Sequence, residues 1–196
     1  MTLQLVSGES VASRVHDGDI AAVACRAAND SIAIRTATVE EAAAIHELIV
    51  GHLAEGHLLP RERAEITAHA RRFLAAVQDG NVLACAELAP LSRSVAEVRS
   101  LVVSRAARGL GVGRVLIGEL LRRAAAGGFD RLCAFTHAPG YFVHLGFSIV
   151  PHVWLPEKIV TDCHSCRHFR QCGQYAVVQS LERTRHFCVP LAALHG

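Results

Sequence analysis

No run of apolar residues in this chain reaches the roughly 18 needed to cross a bilayer. The first residues lack the basic start and apolar stretch of a secretory signal. Neither sign of charge dominates, since 20 Lys+Arg stand against 18 Asp+Glu for a formal +2 at pH 7. A basic footprint for nucleic acid or an anionic membrane is therefore missing. The cysteines, seven in 196 residues, are odd in number and unevenly spaced. That argues against a secreted disulfide framework and for free thiols or a metal in the cytosol. What is present is a chain of one-domain length with 51% hydrophobic residues, ample for a core. The expected location is cytoplasmic.

Periodicity divides the chain. Residues 1–30 hold loop-like pieces at Ser7-Gly8-Glu9-Ser10 and His16-Asp17-Gly18-Asp19 and read as a weakly ordered extension or an added helix. Residues 32–35 alternate as a strand. Thr38 and Glu41 have the spacing of a capping box, which predicts a helix through about Val50. Pro60 is placed to open a second helix running to Arg72. Residues 73–77 and 82–88 read as strands joined at Asp79-Gly80, a hairpin signal. Residues 96–103 form the next strand. After a glycine loop, Val112, Leu116, Leu120 and Ala124 recur at helical spacing to about Ala126, where Gly127-Gly128 ends the helix. Residues 131–136, 147–150 and 175–181 read as strands, with a short helix at 140–145. The order predicts an α/β chain with a mixed sheet: strand, two helices, three strands, helix, strand, helix, closing strands. The domain spans 31–182, with a Cys-rich insert at 162–173 and a tail at 183–196.

The glycine loop is Arg108-Gly109-Leu110-Gly111-Val112-Gly113-Arg114. Between a strand and a helix, such a loop presents free backbone N–H groups at the positive end of the helix dipole, where a phosphate binds. It lacks the Lys-Ser/Thr ending of a nucleotide-triphosphatase P-loop, and its glycines are not spaced as GxGxxG. The pattern is Arg-x-x-Gly-x-Gly, and here the chain resembles the GNAT acetyltransferase superfamily, over roughly residues 32–182. The resemblance implies the GNAT acyl-CoA N-acyltransferase fold, with acetyl-CoA as co-substrate. Its pyrophosphate would lie on Arg108, Gly109, Leu110, Gly111, Val112, Gly113 and Arg114. The backbone of Leu101, Val102 and Val103 would lie beside the acetyl and pantetheine groups and supply the oxyanion donor. The run Tyr141-Phe142-Val143-His144-Leu145-Gly146-Phe147 matches the superfamily's later motif. Many members place a tyrosine four residues before that glycine, as the acid that protonates the leaving thiolate. Phe142 holds that position here. Tyr141, about 100° round a helix from it, is the candidate acid, and a thiolate that leaves without a protein acid is the alternative.

Glu97 and Arg99 sit two apart in a strand and share a face with Leu101. Glu97 is the candidate acceptor of the amine proton through a water, and Arg99 a bidentate clamp for a carboxylate. The alternative is a pair of charges at a frayed strand end. Leu58-Leu59-Pro60-Arg61, the strand Glu97-Val98-Arg99-Ser100-Leu101-Val102-Val103, and Leu155-Pro156-Glu157-Lys158-Ile159 with Asp162-Cys163 look like the stand-alone N-acetylglutamate synthase branch. The amino-acid-kinase-like domain of longer members is missing, so the chain resembles the short form. That implies acetylation of the α-amine of an amino acid, usually glutamate, by direct attack in a ternary complex, at the first step of arginine biosynthesis. A substrate with two carboxylates needs cations. Arg99 and Lys158 are the substrate-binding candidates, and Arg35 is a third. Two other classes stay open: acetylation of another small amine or a peptide N-terminus, and a non-catalytic acetyl-CoA-binding sensor. The expected partners are the amino acid and acetyl-CoA, with no nucleic acid or membrane, and a homodimer as the assembly considered.

Cys163, Cys166 and Cys172, with His164 and His168 interleaved, are a candidate structural zinc set. A standard finger's second half is missing, so packed free thiols are the alternative. His52, His57 and His137 fall in loops near the presumed acceptor side, where a histidine base or an ordinary loop residue would each be consistent. Cys25, Cys85, Cys133 and Cys188 read as small core or surface residues.

Overall fold

The computed structural model of the chain describes residues 32–56, 58–166 and 169–181. The expectations for residues 1–30 and 183–196, and for Cys25, His57, His168 and Cys188, lie outside these. Among the described residues, five helices and seven strands follow one another as β1 (Ala33–Thr36), α1 (Ala42–Val50), α2 (Arg63–Ala68), β2 (Phe73–Gln78), β3 (Asn81–Pro90), β4 (Val95–Val103), α3 (Val112–Ala126), β5 (Arg131–Thr136), α4 (Pro139–Val143), β6 (Ser148–Val150), α5 (Pro156–Thr161) and β7 (Tyr175–Ser180), joined by loops and short 3-10 turns. The strands form one sheet in the order β1-β2-β3-β4-β5-β7-β6. Every pairing is antiparallel except β4 with β5. No described helix is long and apolar enough to cross a membrane.

The hairpin between β2 and β3 forms at Asp79 and Gly80, both at positive φ (50° and 79°). That backbone matches the right-handed twist of the flanking strands. Helix α3 buries the predicted stripe: Val112, Leu116, Leu120 and Ala124 are all at most 1% exposed. They pack on Leu74, Ala76, Ala84, Ala96 and Leu132 of one sheet face. Ile45 and Ile49 of α1 and Ile66 of α2 pack on Phe73, Ala75, Val77 and Cys85 of the other. Each fully buried Leu or Ile removes enough apolar surface to stabilise the fold by about 1.5–3 kcal/mol. The alanines of β2, β3 and β4 let both helix layers approach the backbone closely.

Three expectations need correction. The first helix starts at Ala42, and no side chain caps it. Only the reverse half of the capping box forms, with the Thr38 N–H donating to Glu41 Oε2 at 2.8 Å. The Glu41 carboxylate also takes the Arg35 guanidinium, at 2.6 and 2.8 Å. The second helix is shorter than Pro60 suggests, because the residue before Arg63 is still extended (Glu62 ψ 136°). Helix α5, which begins with a proline at its first turn, was not among the predicted elements.

One irregularity makes the site. Strand β4 runs to Val103, but it pairs with β5 only over Val95–Val98 against Arg131–Ala134. On its other side the register with β3 shifts between Cys85 and Glu87. Ser100, opposite that shift, has φ 49°. The extra residue of a bulge bends its strand, and beyond Val98 the two parallel strands part.

Candidate active site

The parted strands line a cleft of about 480 Å³, with Val98–Leu101 on one wall and Ala134–Thr136 on the other. Ser104 donates its N–H to the Leu83 carbonyl at 2.8 Å. In an antiparallel ladder, alternate residues then face the partner strand. The peptide groups of Val102 therefore face β3, and those of Leu101 and Val103 face the parted side. Of the three strand residues singled out in sequence, Leu101 lines the cleft, and Val102 and Val103 do not.

The glycine loop stands at one end of this opening. Gly109 and Gly111 have φ of 81° and 78°, and a Cβ on either would meet nothing within 4 Å. Only glycine adopts this backbone without strain, and the space a side chain would fill is left clear. Gly111 is the N-cap of α3, whose first intrahelical bond runs from Val115 N–H to the Gly111 carbonyl at 3.2 Å. The N–H groups of Val112, Gly113 and Arg114 therefore have no partner within the helix. This cradle fits a pyrophosphate. The two arginines flanking it differ. Arg108 is held by Glu55 at 2.8 and 3.0 Å and donates through Nε to the Val103 carbonyl. Arg114 makes no ion pair among the described residues.

Tyr141 links the loop to the cleft. A Cβ on Gly113 would stand 2.6 Å from the Tyr141 hydroxyl, so the phenol points at the first turn of α3. Burial pushes its pKa up, and the Arg114 guanidinium pulls it partly back. Phe142, at the family's tyrosine position, is 6% exposed and stacks edge-on against Phe147.

The other end of the cleft is built from charged side chains. Glu97 is 3% exposed. Its carboxylate accepts Lys158 Nζ on both oxygens, at 2.6 and 2.9 Å, and Arg99 Nε at 2.6 Å. Asp162 Oδ2 accepts Lys158 Nζ at 2.8 Å and also Arg99 Nη2. The Lys158 ammonium lies 5.2 Å from the centre of the Phe135 ring, a cation–π distance. Burial lowers the Arg99 pKa, but the Glu97, Asp162 and Glu87 carboxylates outweigh it and the net shift is upward. Arg61 also lines the cleft. It pairs with Glu65 at 2.7 Å and with the buried Glu87 at 2.9 Å, and it donates to Ser100 Oγ at the bulge.

Arg99, Lys158, Glu97 and Tyr141 are thus brought together around one cleft. Arg35 is not: it pairs with Glu41 at the edge strand. His52, bonded to the Leu48 carbonyl, and His137 do not line it. Arg61 and Asp162 were missed as site residues, although both lie inside the sequence matches quoted above. Lys158 carries a signal that could have been weighed more heavily: it is the only lysine in a chain with nineteen arginines. The zinc expectation is not supported. Among the described residues no three His, Cys, Asp or Glu side chains are grouped to hold an ion. Cys163 and Cys166 are half-buried and Cys172 is exposed. Burial pushes Cys85 and Cys133 up to about 12, so both are inert core thiols.

A sheet that parts between two parallel strands, with a glycine loop and a helix N-terminus beside the opening, is the arrangement that the resemblance to acyl-CoA N-acyltransferases implies. Residues 42–147 match the acetyltransferase (GNAT) family, and the chain belongs to it. It is 30% identical over 148 residues to an uncharacterized N-acetyltransferase of Chlorobaculum tepidum, covering 76% of this chain and 96% of that protein. It is 32% identical over 126 residues to the amino-acid acetyltransferase of Ralstonia nicotianae, covering 63% of this chain but 28% of the relative. The N-acetylglutamate synthase of Neisseria gonorrhoeae, solved with coenzyme A and N-acetyl-glutamate, matches with TM-score 0.70 and 28% identity, covering 78% of this chain and 35% of that one. The chain therefore spans about a third of the length of these two amino-acid enzymes.

Proposed function

We propose that this acetyltransferase moves the acetyl group of acetyl-CoA to the α-amine of an amino acid with an acidic side chain, glutamate first, by direct attack in a ternary complex. That is the first step of arginine biosynthesis. One observation carries the reading: Arg99 and Lys158 converge at the end of the cleft away from the glycine loop, within one hydrogen-bonded cluster. A guanidinium fork beside an ammonium suits a carboxylate bidentately. The names of the Ralstonia and Neisseria relatives support the same class of acceptor.

Bound acetyl-CoA supplies an activated thioester. The N–H groups at the start of α3, with Arg114, hold the pyrophosphate, while Arg108 shapes the loop from its pair with Glu55. The peptide N–H groups of Leu101 and Val103 face the reacting carbonyl, where a preorganised donor lowers the barrier. Arg99 and Lys158 fix the acceptor's carboxylate so that its amine enters beside β4. Glu97 is a positioning residue, since its oxygens are taken by both cations. The amine proton leaves to water. Tyr141 keeps its proton and can donate it toward the thiolate.

A thiol-release assay across the amino acids tests the reading. Glutamate should give the highest kcat/KM. Release driven only by amines without a carboxylate would overturn it, and acetyl-CoA binding without any release would leave a sensor.

A further inference from the structure

Asp162 stands where the proposed acceptor carboxylate should go. One of its oxygens, Oδ2, bridges both cations of the clamp, taking Arg99 Nη2 and Lys158 Nζ. Glu97 grips the same two cations with both oxygens from a buried position, at 3% side-chain exposure, while Asp162 is 34% exposed. The four formal charges cancel. A substrate carboxylate added to that closed cluster would make it net −1 in a partly desolvated cleft, and like charges there are costly. With Asp162 turned outward, Arg99, Lys158 and Glu97 sum to +1, which matches one incoming carboxylate. Asp162 is also placed to turn. It follows the last residue of α5 with a backbone outside the helical region (φ −125°, ψ −42°).

We infer that Asp162 is a resident carboxylate that occupies the acceptor's place on Arg99 and Lys158 and is displaced by it. It thereby sets the affinity for acceptors that carry a carboxylate and selects against amines that carry none. The inference rests on the amino-acid reading above. An acceptor gains the clamp only if it offers a carboxylate that replaces Asp162 on both cations; a ligand that cannot leaves the cluster closed, a selection by competition rather than by added contacts.

Asp162→Asn keeps the side-chain shape and removes the charge. In a variant whose thermal melt shows it folded, the KM for glutamate should fall roughly three- to tenfold, as expected for removing a partly exposed competing ion pair. The Kd for glutarate, a non-reacting dicarboxylate measured by calorimetry, should fall alike, with the KM for acetyl-CoA unchanged. Asp162→Ala should shift in the same direction. Asp79→Asn removes an equal charge at the β2–β3 turn and should leave every constant alone. Unchanged or weaker glutarate binding in both Asp162 variants overturns the inference, since Asp162 would then be supporting the clamp. Wild-type protein that neither binds glutarate nor acetylates any amino acid overturns the acceptor reading itself, and the inference with it.

Discussion

The two ends of the cleft are made of different material. At the glycine loop the recognising groups are backbone N–H donors, fixed by two left-handed glycines and the start of α3. At the acceptor end they are side-chain charges drawn from β4 and from α5 with the residue after it, more than sixty positions away. A backbone cradle tolerates change in its neighbours but not in its own glycines. A side-chain cluster fails by degrees, because each charge has two partners. Substitutions at the first end should therefore abolish binding, and those at the second should retune it.

The largest effect is expected at Gly111. Gly111→Val forces a β-branched residue to φ near 78°, which costs about 1–2 kcal/mol, and it fills the space left for the phosphate. Losing those charge-assisted bonds adds roughly 1.5–3 kcal/mol. Calorimetry should show acetyl-CoA binding weakened by at least about 100-fold in a protein that still folds. Unchanged binding would mean the loop is only a turn.

Next comes the clamp. Arg99→Ala should raise the KM for the amino acid by roughly 10- to 100-fold, the equivalent of 1.5–3 kcal/mol, with less change in kcat. Arg99→Lys keeps charge and loses the fork, so it should fall between. An unchanged KM in Arg99→Ala would move the carboxylate site elsewhere and remove the contrast between the two ends.

Glu97 separates positioning from proton transfer. If it holds the two cations, Glu97→Gln should raise the amino-acid KM by about tenfold and lower the melting temperature, because removing one partner of a buried pair strands the other charges. The pH profile of kcat should keep its shape. A general base would instead lower kcat by about 10²–10⁴-fold, with recovery at high pH as free amine becomes abundant. Steady-state kinetics at two pH values distinguish these outcomes.

The same contrast explains what could be read before any coordinates. The stripe Val112, Leu116, Leu120 and Ala124 and the hairpin at Asp79-Gly80 are local patterns, and each formed where its spacing put it. The glycine loop is local too. The acceptor end is not. Nothing near Glu97 in sequence says that Lys158 and Asp162 will meet it, because that depends on β5 and β7 carrying α5 across the parted strands. Spacing alone also misjudged two elements. Glu41 was drawn to Arg35 rather than completing a capping box, and Cys163, Cys166 and Cys172 belong to no group that could hold an ion among the described residues.

Tyr141 lines the cleft and reaches the glycine-loop end, and its replacement should have the smallest effect. Its phenol points at Gly113 and is held above its ordinary value of about 10 by burial, with Arg114 offsetting part of the shift. The group is therefore neutral, and able to donate, at any pH below that raised value, and it loses the proton only above it. A thiol such as that of CoA has a pKa near 8.5, so the thiolate leaves with little help. Tyr141→Phe should accordingly lower kcat by less than about tenfold. Its signature lies in the profile: wild-type kcat should hold level through about pH 10 and fall above it, while Tyr141→Phe starts lower and shows no such fall. If the alkaline fall persists in the variant, its source is another group. A loss beyond about 100-fold would mean that thiolate departure is slow here and that a side chain, not only backbone, governs the loop end of the cleft.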